Sequence, residues 1–525
     1  MPQLNFLRRL IKVATQENGL TMDRQNASRK LVLALDQSTQ GTKAVLFDAS
    51  GAVVGKASRS HDQLVSKEGW VSHDAEQIMT NVLAVARDVC KRARVRQGEI
   101  CAIGVSNQRE TCVAWDRVSR EPLAPAVVWQ CDRAQTLCSE LADNDPYTAS
   151  RIRELSGLEL SPYFSAAKMS WLLRNVSEVR KAAERRTLAL GTIDAWLVFK
   201  LSEEHTFATE PSNACRTQLM NLGTAQWDDE LCSFFDIPQS ALPQICSSDT
   251  VFGYTTMGGL FQEAVPICGV LGDSQAALAA QNCRAAGDLK VTYGTGSSVM
   301  MQVGEKPVTS QHGLVSSVAW EIAGRRAYVL EGNLNYTGAV ISWLKDDMHL
   351  IGDPAEVESL IAQANPMDGT YFIPAFTGLG APWWDAQATG LLTGITRTTG
   401  RAETVKACAE SIPFQIADVI AALKEDTDRE IHEIRTDGGV TKNKYLMQLQ
   451  ADITGIPVAV SSLAELSAAG VAYLAGVSTG IYQRNVIYES LTRTEFTPAM
   501  PTAEKEKRLH GWRTALQQVR SVCSA

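Results

Sequence analysis

The sequence lacks the features that mark membrane and nucleic-acid-binding proteins. In its 525 residues, apolar runs such as LVLAL and VPICGVLG are strand-sized, whereas a bilayer-spanning helix needs roughly 20 residues. Basic residues are not in excess, because 50 Lys and Arg face 58 Asp and Glu and the formal net charge is -8. We therefore expect neither a membrane segment nor a nucleic acid partner.

The twelve cysteines form no CxxC pair and no close Cys/His cluster. This excludes a classical zinc site or disulfide framework and is typical of a reduced protein, so we expect a cytoplasmic location. Cys112, Cys131, Cys268 and Cys408 lie in apolar surroundings and are predicted to be small core residues. No low-complexity tract interrupts the chain, and its length predicts a packed protein of two to four domains.

The segment before Lys30 differs from the rest of the chain. LNFLRRLIKVATQ is amphipathic and basic, as in a targeting presequence, but it has no long apolar core and no small-residue cleavage site. Met22 is an alternative translation start. We predict that residues 1–29 are a tail outside the fold, either disordered or absent from the native protein.

Three polar turns follow apolar strands at separate places in the chain. KLVLALDQSTQGTKAVLFDASG and GDLKVTYGTGSSVMMQVGE both read as strand, small-residue turn and strand, and such turns present backbone amides to an anion. In IHEIRTDGGVTKNKYLMQLQADITGIPV a strand ends at Asp437-Gly438-Gly439 and a helix follows. One such turn is weak evidence of binding, but the three together indicate a nucleotide in a cleft between two actin-like halves.

Helical patterns alternate with these strands. In DAEQIMTNVLAVARDVCKRARV, Asp74 is a predicted N-cap before apolar residues at helical spacing. In GVLGDSQAALAAQ a carboxylate, Asp273, ends an apolar strand at a possible helix N-cap. The alternation predicts an α/β fold.

From about Lys30 to HGWRTAL the sequence resembles the FGGY carbohydrate kinases, and within them it is most similar to glycerol kinases. The matching blocks are GWVSHDAEQI, GVSNQRETCVAWD, VVWQCDRA, SPYFSAAKMSWLL, GTIDAWLVFKL, YGTGSS, FTGLGAPWWDAQATG and TDGGVTKNKYLMQLQADITGIPV. The resemblance implies two actin-like ATPase domains of the ribonuclease H type with a nucleotide cleft between them. The N-terminal domain, at 30–281, is expected to hold the first phosphate hairpin and the acceptor site, and the C-terminal domain, at 282–525, the second phosphate hairpin and the adenosine site. The resemblance also implies ATP with Mg²⁺, phosphorylation of a hydroxyl on a small polyol or sugar, and assembly as a homodimer or homotetramer.

The resemblance also assigns the nucleotide site, residue by residue. Asp36 is expected to hold the magnesium ion. The outer phosphates are expected to face Thr39, Gln40, Gly41 and Lys43 in the first hairpin and Thr295 and Gly296 in the second. The adenosine is expected to face Gly338, Ser342, Gly439 and Asn443. From the residues alone, a turn-forming role for Asp36 and a helix-packing role for Gly338 remain open.

The acceptor site implied by the resemblance consists of Arg109, Glu110, Trp129, Tyr163 and Asp273. Its chemistry suits a polyol, because Arg, Glu and Tyr donate and accept hydrogen bonds in fixed directions while Trp129 offers a flat apolar wall. Asp273 is the predicted general base, since a carboxylate beside the acceptor hydroxyl can take its proton during phosphoryl transfer. An exposed ion pair is the alternative for Arg109 and Glu110.

The sequence departs from the glycerol kinase pattern at several positions. Ser274 stands where those enzymes commonly have Gln, Ser298 stands where they commonly have Phe, and the first turn reads Ser-Thr-Gln before Gly41. Smaller side chains with hydroxyls leave room for a longer polyol or a sugar. We therefore keep two acceptor hypotheses, glycerol and a larger polyol or sugar. Two other classes remain open: an actin- or Hsp70-like ATPase and a regulatory relative without kinase activity.

Overall fold

The computed structural model of the protein describes residues 29–489 and 491–522. The first half contains strands β1 (Leu31–Gln37), β2 (Gly41–Phe47), β3 (Val53–Ser60), β4 (Leu64–Val65), β5 (Val71–His73), β6 (Ile100–Asn107), β7 (Cys112–Asp116), β8 (Ala126–Val127), β9 (Leu188–Thr192), β10 (Ala208–Thr209), β11 (Met220–Asn221), β12 (Gln226–Trp227), β13 (Gln244–Ile245), β14 (Val251–Thr255) and β15 (Val265–Gly272). Its helices are α1 (Ala75–Arg92), α2 (Gln135–Asn144), α3 (Pro146–Ser156), α4 (Ser165–Asn175), α5 (Ser177–Glu184), α6 (Ile193–Leu201), α7 (Pro211–Ala214), α8 (Asp229–Phe234) and α9 (Asp273–Ala280), with 3₁₀ turns at Cys215–Thr217 and Gln239–Ala241.

The second half contains strands β16 (Leu289–Tyr293), β17 (Ser297–Gly304), β18 (Val315–Ile322), β19 (Arg325–Leu334), β20 (Tyr371–Ile373), β21 (Leu391–Thr393), β22 (Ile434–Gly438), β23 (Val458–Ser461) and β24 (Arg493–Phe496). Its helices are α10 (Gly338–Asp346), α11 (Glu356–Gln363), α12 (Arg401–Thr427), α13 (Lys444–Thr454), α14 (Leu466–Ser478) and α15 (Thr502–Val522), with a 3₁₀ turn at Gly439–Lys442. No helix in the described ranges is long and apolar enough to cross a membrane.

The two large sheets repeat one topology. The first has the order β3-β2-β1-β6-β15-β14, and the second contains β19-β17-β16-β22-β23-β24 with β18 added at its edge. In each sheet an antiparallel hairpin leads into three parallel strands, β1, β6 and β15 in the first and β16, β22 and β23 in the second. The predicted hairpins, the α/β class and the two related halves are therefore confirmed.

Helices α9 and α14 lie between the two sheets. One apolar cluster joins Val32 and Ala34 of β1, the alanines of α9 and α14, and Met300 and Val329 of the second sheet. The outer faces pack on other helices, among them α1 in the first half and α12 in the second. The core thus runs through the interdomain layer, so the halves meet through apolar packing as well as through the polar cleft.

Local predictions in the scaffold are also confirmed. Asp74 caps α1 by accepting the amides of Glu76 and Gln77, and Cys112, Cys131, Cys268 and Cys408 are buried. Residues 1–28 of the predicted tail lie outside the described residues. Arg29, the last residue of that segment, pairs with Glu99 at 2.9 Å.

Candidate active site

Three parallel strands of the first sheet end side by side. Asp36 of β1 is in register with Ser106 of β6, and Asn107 is in register with Gly272, the last residue of β15. Because the carboxyl ends of parallel strands meet at one edge of a sheet, the residues just beyond them converge. This edge brings together Asp36, Arg109 and Asp273.

Asp273 is the first residue of α9, and the N-cap is Gly272. The N-cap role expected for Asp273 is therefore wrong: its Oδ1 accepts the amide of the adjacent Ser274 at 2.6 Å. The same Oδ1 lies 3.5 Å from Nε of Arg109, and the side chain is 37% exposed. A Cβ on Gly272 would lie 2.7 Å from Cγ of Arg109, so glycine leaves the room that Arg109 needs to reach the carboxylate.

Asp36 is buried beside this pair. Its Oδ1 accepts a hydrogen bond from Ser106 Oγ at 3.0 Å. Burial is the main reason that the pKa of Asp36 rises to about 6; Lys43 opposes the rise and Asp273 adds to it. Within the described residues, no three His, Cys, Asp or Glu side chains form a metal site. Asp36 therefore fits an ion that takes most of its ligands from elsewhere, as Mg²⁺ does with phosphates and water.

Four buried charges form the floor of the site. Arg109 Nη1 donates to Glu331 at 3.0 Å, Arg216 Nε donates to Glu110 at 2.5 Å, and Arg216 also contacts Glu331 directly. Burial works against charge on Arg109, but Glu331 and Glu110 raise its pKa well above the ordinary value. Burial likewise opposes charge on Glu331, but the two arginines lower its pKa to about 2. The cluster is thus a balanced network of two cations and two anions.

Glu110 has an unusual backbone for its side-chain type. Its φ is 62°, and a non-glycine residue held in this left-handed region costs about 1–3 kcal/mol. Ser165 Oγ donates to the Glu110 carbonyl at 2.9 Å, and this bond helps to hold the conformation. In this conformation the Glu110 carboxylate lies between Arg109 and Arg216.

Sequence reasoning missed Arg216 and Glu331. Arg216 lies in the 3₁₀ turn after α7, and Glu331 lies in β19 of the second half. A signal for Glu331 was available, because AYVLEGNL places a carboxylate inside an otherwise apolar strand, and such a buried charge needs partners. No pattern in the sequence around Arg216 predicted its place in the site.

Trp129 and Tyr163 line the same region. Their rings are 5.4 Å apart in an edge-to-face arrangement, and the Tyr163 ring centroid lies 6.0 Å from the Arg216 guanidinium. Burial raises the pKa of Tyr163. Trp129 Nε1 donates to Thr39 Oγ1 at 2.9 Å. The structure therefore brings the five predicted acceptor residues together and connects them to the first hairpin turn.

The first hairpin turn is closed by Ser38, whose amide donates to the Gly41 carbonyl at 2.8 Å. Gln40 at its tip is exposed. A Cβ on Gly41 would lie 2.5 Å from the Arg59 carbonyl, so β3 requires glycine there. Lys43 Nζ binds Glu465 of the second half at 3.0 Å. Lys43 is thus at the cleft, where it also bridges the two halves.

The second hairpin turn packs on the start of α10. Backbone amides of Gly338 and Ala339 donate to the carbonyls of Gly294 and Thr295 at 3.0 and 2.9 Å. A Cβ on Gly338 would lie 2.4 Å from the Gly294 carbonyl, and one on Gly296 would lie 2.3 Å from the Leu334 carbonyl. Gly338 therefore has the packing role left open above. Ser342 is exposed further along α10.

The third turn adjoins the second because Gly438 of β22 is in register with Tyr293 of β16. Gly438 has φ 101°, and a Cβ there would lie 2.1 Å from the Tyr293 carbonyl. Gly439 faces open space, with nothing within 4 Å of its Cβ position. Asn443 caps α13 by accepting the Leu446 amide at 3.0 Å. Thr295, Gly296 and Gly439 therefore lie beside neighbouring strand ends, whereas Gly338 and Asn443 lie where helices α10 and α13 begin.

Ser298 faces the charged cluster from the second sheet. Met300 pairs with Glu331 and Ser298 pairs with Asn333, so Ser298 and Glu331 share a face at a diagonal separation of about 7–8 Å. Among the described residues, the buried hydroxyl of Ser298 and the buried Nη2 of Arg216 have no hydrogen-bond partner. The Ser274 carbonyl accepts a hydrogen bond from Lys290 Nζ at 3.4 Å. The Ser298 hydroxyl and Arg216 Nη2 thus lie beside the predicted acceptor site without hydrogen bonds to the described part of the chain.

Known proteins resemble the chain over nearly its whole length. The N-terminal and C-terminal domain models of the FGGY family of carbohydrate kinases match residues 31–280 and 289–479. Glycerol kinase 1 of Thermotoga maritima is 42% identical over 490 residues, 93% of this chain and 99% of that protein. A structure of Plasmodium falciparum glycerol kinase with ADP is 33% identical, with a TM-score of 0.87, and the match covers 94% of this chain and 98% of that one.

The fold extends to more distant proteins. A ligand-bound xylulose kinase from Lactobacillus acidophilus is 22% identical with a TM-score of 0.84, and the match covers 94% of this chain and 99% of that one. These matches confirm the predicted two-domain α/β fold of the actin-like class. The chain belongs to the FGGY family of carbohydrate kinases and is an ATP-dependent enzyme that phosphorylates a hydroxyl group of a small polyol or sugar.

Proposed function

We propose that Asp273 is the general base of this kinase. Its carboxylate is partly exposed at the edge where three strands end, and Arg109 Nε lies 3.5 Å away. A carboxylate in this place can take the proton of the acceptor hydroxyl as the bond to phosphorus forms. Positioning and electrostatics supply most of the rest of phosphoryl-transfer catalysis, and the charged floor holds Arg109 for that purpose.

Asp36 is the proposed magnesium ligand. When bound, Mg²⁺ neutralises charge on the phosphates and helps to align them. The fit rests on a buried carboxylate whose charge is unfavourable without a cation, as its pKa of about 6 indicates. The phosphates would face Thr39, Gln40, Gly41, Lys43, Thr295 and Gly296, and the adenosine would face Gly338, Ser342, Gly439 and Asn443. Domain closure between 30–281 and 282–525 would exclude water from this cleft.

The preferred acceptor in our proposal is a polyol longer than glycerol, with four or more carbons. The observation that carries it is the pair of unpartnered buried groups beside the charged floor, the Ser298 hydroxyl and Arg216 Nη2. Buried polar groups are normally satisfied, so a substrate with additional hydroxyls would complete them. Ser274 adds a further small hydroxyl next to Asp273.

Glycerol itself is the second candidate. It is favoured by the full-length similarity to glycerol kinase 1 of Thermotoga maritima and to the Plasmodium falciparum enzyme. The two candidates differ at Ser274 and Ser298, because a three-carbon acceptor would make fewer hydrogen bonds with these hydroxyls than a longer polyol.

Coupled ADP release with glycerol, erythritol and xylitol tests the acceptor. We expect erythritol or xylitol to have the higher kcat/KM in the native protein. The double variant Ser274→Gln/Ser298→Phe should then raise the ratio of kcat/KM for glycerol to kcat/KM for erythritol by about 10- to 200-fold. This is the discrimination that an enzyme pocket typically achieves between substrates that differ by about one methylene group. Ser177→Gln, at an exposed position of α5, is the control and should leave the ratio unchanged.

The same assay separates the remaining alternatives. Preference for glycerol in the native protein, with no change in the double variant, would exclude the longer acceptor. ADP release that no polyol or sugar stimulates would point to an ATPase, and no ADP release would point to a regulatory protein.

Assembly and location complete the proposal. A reduced cytoplasmic compartment is supported by the eleven described cysteines, which are all free thiols. A homodimer or homotetramer rests on the family resemblance, and light scattering of the purified protein measures it directly.

A further inference from the structure

A second cavity lies between the second large sheet and the helices α9 and α14. It has a volume of about 240 Å³ and is enclosed by β17, β18 and β19 on one side and by α9 and α14 on the other. Strand β17 leaves the second hairpin turn at Ser297 and reaches the cavity at Gln302. At about 3.4 Å per residue, these two positions are about 17 Å apart along the strand.

The cavity wall is strongly cationic. Arg284, Arg325, Arg326 and Arg484 line it, with Glu305 as the one carboxylate among the lining residues. Arg325 pairs with Glu305 and Arg326 pairs with Glu321. In the described ranges, Arg284 and Arg484 pair with no carboxylate. These two guanidinium groups are available to an anion.

The position of Arg284 is set by an aromatic ring. Its guanidinium lies 4.5 Å from the centroid of Tyr488 and donates to the Tyr488 hydroxyl at 2.8 Å. This stacking holds the cation at the cavity without neutralising its charge. An anion would therefore meet a preplaced partner.

A buried amide gives an independent sign of a ligand. Gln302 lines the cavity and is fully buried, and its Nε2 has no hydrogen-bond partner among the described residues. Trp320, Tyr473 and Leu474 provide an apolar surface in the same cavity. Small-molecule sites typically combine a few polar groups with apolar and aromatic side chains, and the buried Gln302 donor beside Trp320 and Tyr473 fits this description.

We propose that this cavity binds a small organic phosphate. The phosphate would lie between Arg284 and Arg484, the carbon skeleton would pack on Trp320 and Tyr473, and an oxygen of the ligand would accept a hydrogen bond from Gln302. The volume is below the roughly 300–1,000 Å³ typical of drug-sized ligands. It suits a polyol phosphate or a sugar phosphate better than a large cofactor.

The cavity and the proposed base, Asp273, share strand β15 and helix α9. Leu271 of β15 lines the cavity two residues before Asp273, and Ala279 lines it from α9, the helix that begins at Asp273. A Cβ on Gly470 of α14 would lie 1.9 Å from the Ala276 carbonyl, so α9 and α14 pack backbone against backbone. A ligand that holds α14 against the second sheet would therefore affect the setting of α9. This effect on turnover depends on the proposed role of Asp273, whereas binding does not.

Calorimetry with the full-length protein tests the site while the catalytic cleft is saturated with a non-hydrolysable ATP analogue and a polyol. The probes are glycerol 3-phosphate, AMP and inorganic phosphate. We expect one equivalent of a phosphate ester to bind, and the two esters distinguish a polyol phosphate from a nucleotide as its source. Arg284→Gln and Arg484→Gln should each weaken binding at least tenfold. Arg180→Gln, on the exposed face of α5, should have no effect.

Gln302→Leu provides a test that leaves the charge unchanged, and we expect at least fivefold weaker binding. Circular dichroism establishes that each variant is folded. The proposal is wrong if neither ester binds at millimolar concentration, if the arginine variants bind as tightly as Arg180→Gln, or if inorganic phosphate binds as tightly as both esters. In the last case the aromatic surface would contribute nothing. An effect of the ester on turnover that disappears in Arg484→Gln would support the coupling to α9.

Discussion

Replacing Asp273 by Asn tests the proposed chemistry most directly. The change keeps the size of the side chain and removes one negative charge. Arg109 would keep its bond to Glu331 at 3.0 Å and its proximity to Glu110, so the buried network stays paired. Since the Asp273 side chain is 37% exposed, the loss of its ion pair should cost less than about 1 kcal/mol of stability.

The expected effect on turnover is much larger. General base catalysis contributes typically about 10²–10⁴ in rate, which is about 2.7–5.5 kcal/mol in the activation free energy. We therefore expect kcat to fall by that factor in Asp273→Asn. The affinity for ATP should change by less than about twofold, because the hairpin turns do not depend on the proton acceptor.

Coupled ADP release with the preferred polyol measures kcat, and calorimetry measures nucleotide binding. Asp236→Asn, which removes an exposed carboxylate paired with Arg174, is the matched control and should retain full activity. Turnover within a few fold of the native value in Asp273→Asn, with normal folding, would refute the assignment of this residue as the base.

Three further predictions follow from the same geometry. Arg216→Ala should lower the free energy of unfolding by about 3–5 kcal/mol, because it leaves Glu110 and Glu331 buried with one partner fewer. The control Arg180→Ala should change the free energy of unfolding, measured by chemical denaturation, by less than about 0.5 kcal/mol. Equal effects of the two variants would contradict the stabilising role of the buried charge network. Because burial holds the pKa of Asp36 at about 6, above its ordinary value, kcat/KM should fall as the pH decreases through 6. The stability that this group contributes to the ligand-free protein is present at low pH and is lost as the pH rises through 6. A flat kcat/KM profile between pH 5 and 7 would argue against Asp36 as the metal ligand. Gly338→Ala should reduce both thermal stability and ATP affinity, because its Cβ would lie 2.4 Å from the Gly294 carbonyl. The Cβ in Gly439→Ala would face open space, so this variant should weaken only ATP binding. Unchanged nucleotide affinity in Gly439→Ala would exclude Gly439 from the proposed adenosine site.

Much of the scaffold follows from local sequence patterns. Alternating apolar residues around DQSTQG and YGTG predict the two hairpins, and DGG before a helical pattern predicts the third turn. These elements form as predicted because strand period and turn chemistry are set by neighbours within a few residues. The domain division at residues 281 and 282 stays a prediction, as do the individual roles of the site residues.

The sequence by itself determined the fold class and the three turns through periodicity, glycine positions and the family blocks, and it predicted the acceptor residues. Only the tertiary structure decided how the cleft is held together. Arg216 reaches Glu331 across 115 positions and Lys43 reaches Glu465 across 422. The partners in such contacts cannot be identified from a local pattern, because they depend on how the two sheets are placed around α9 and α14.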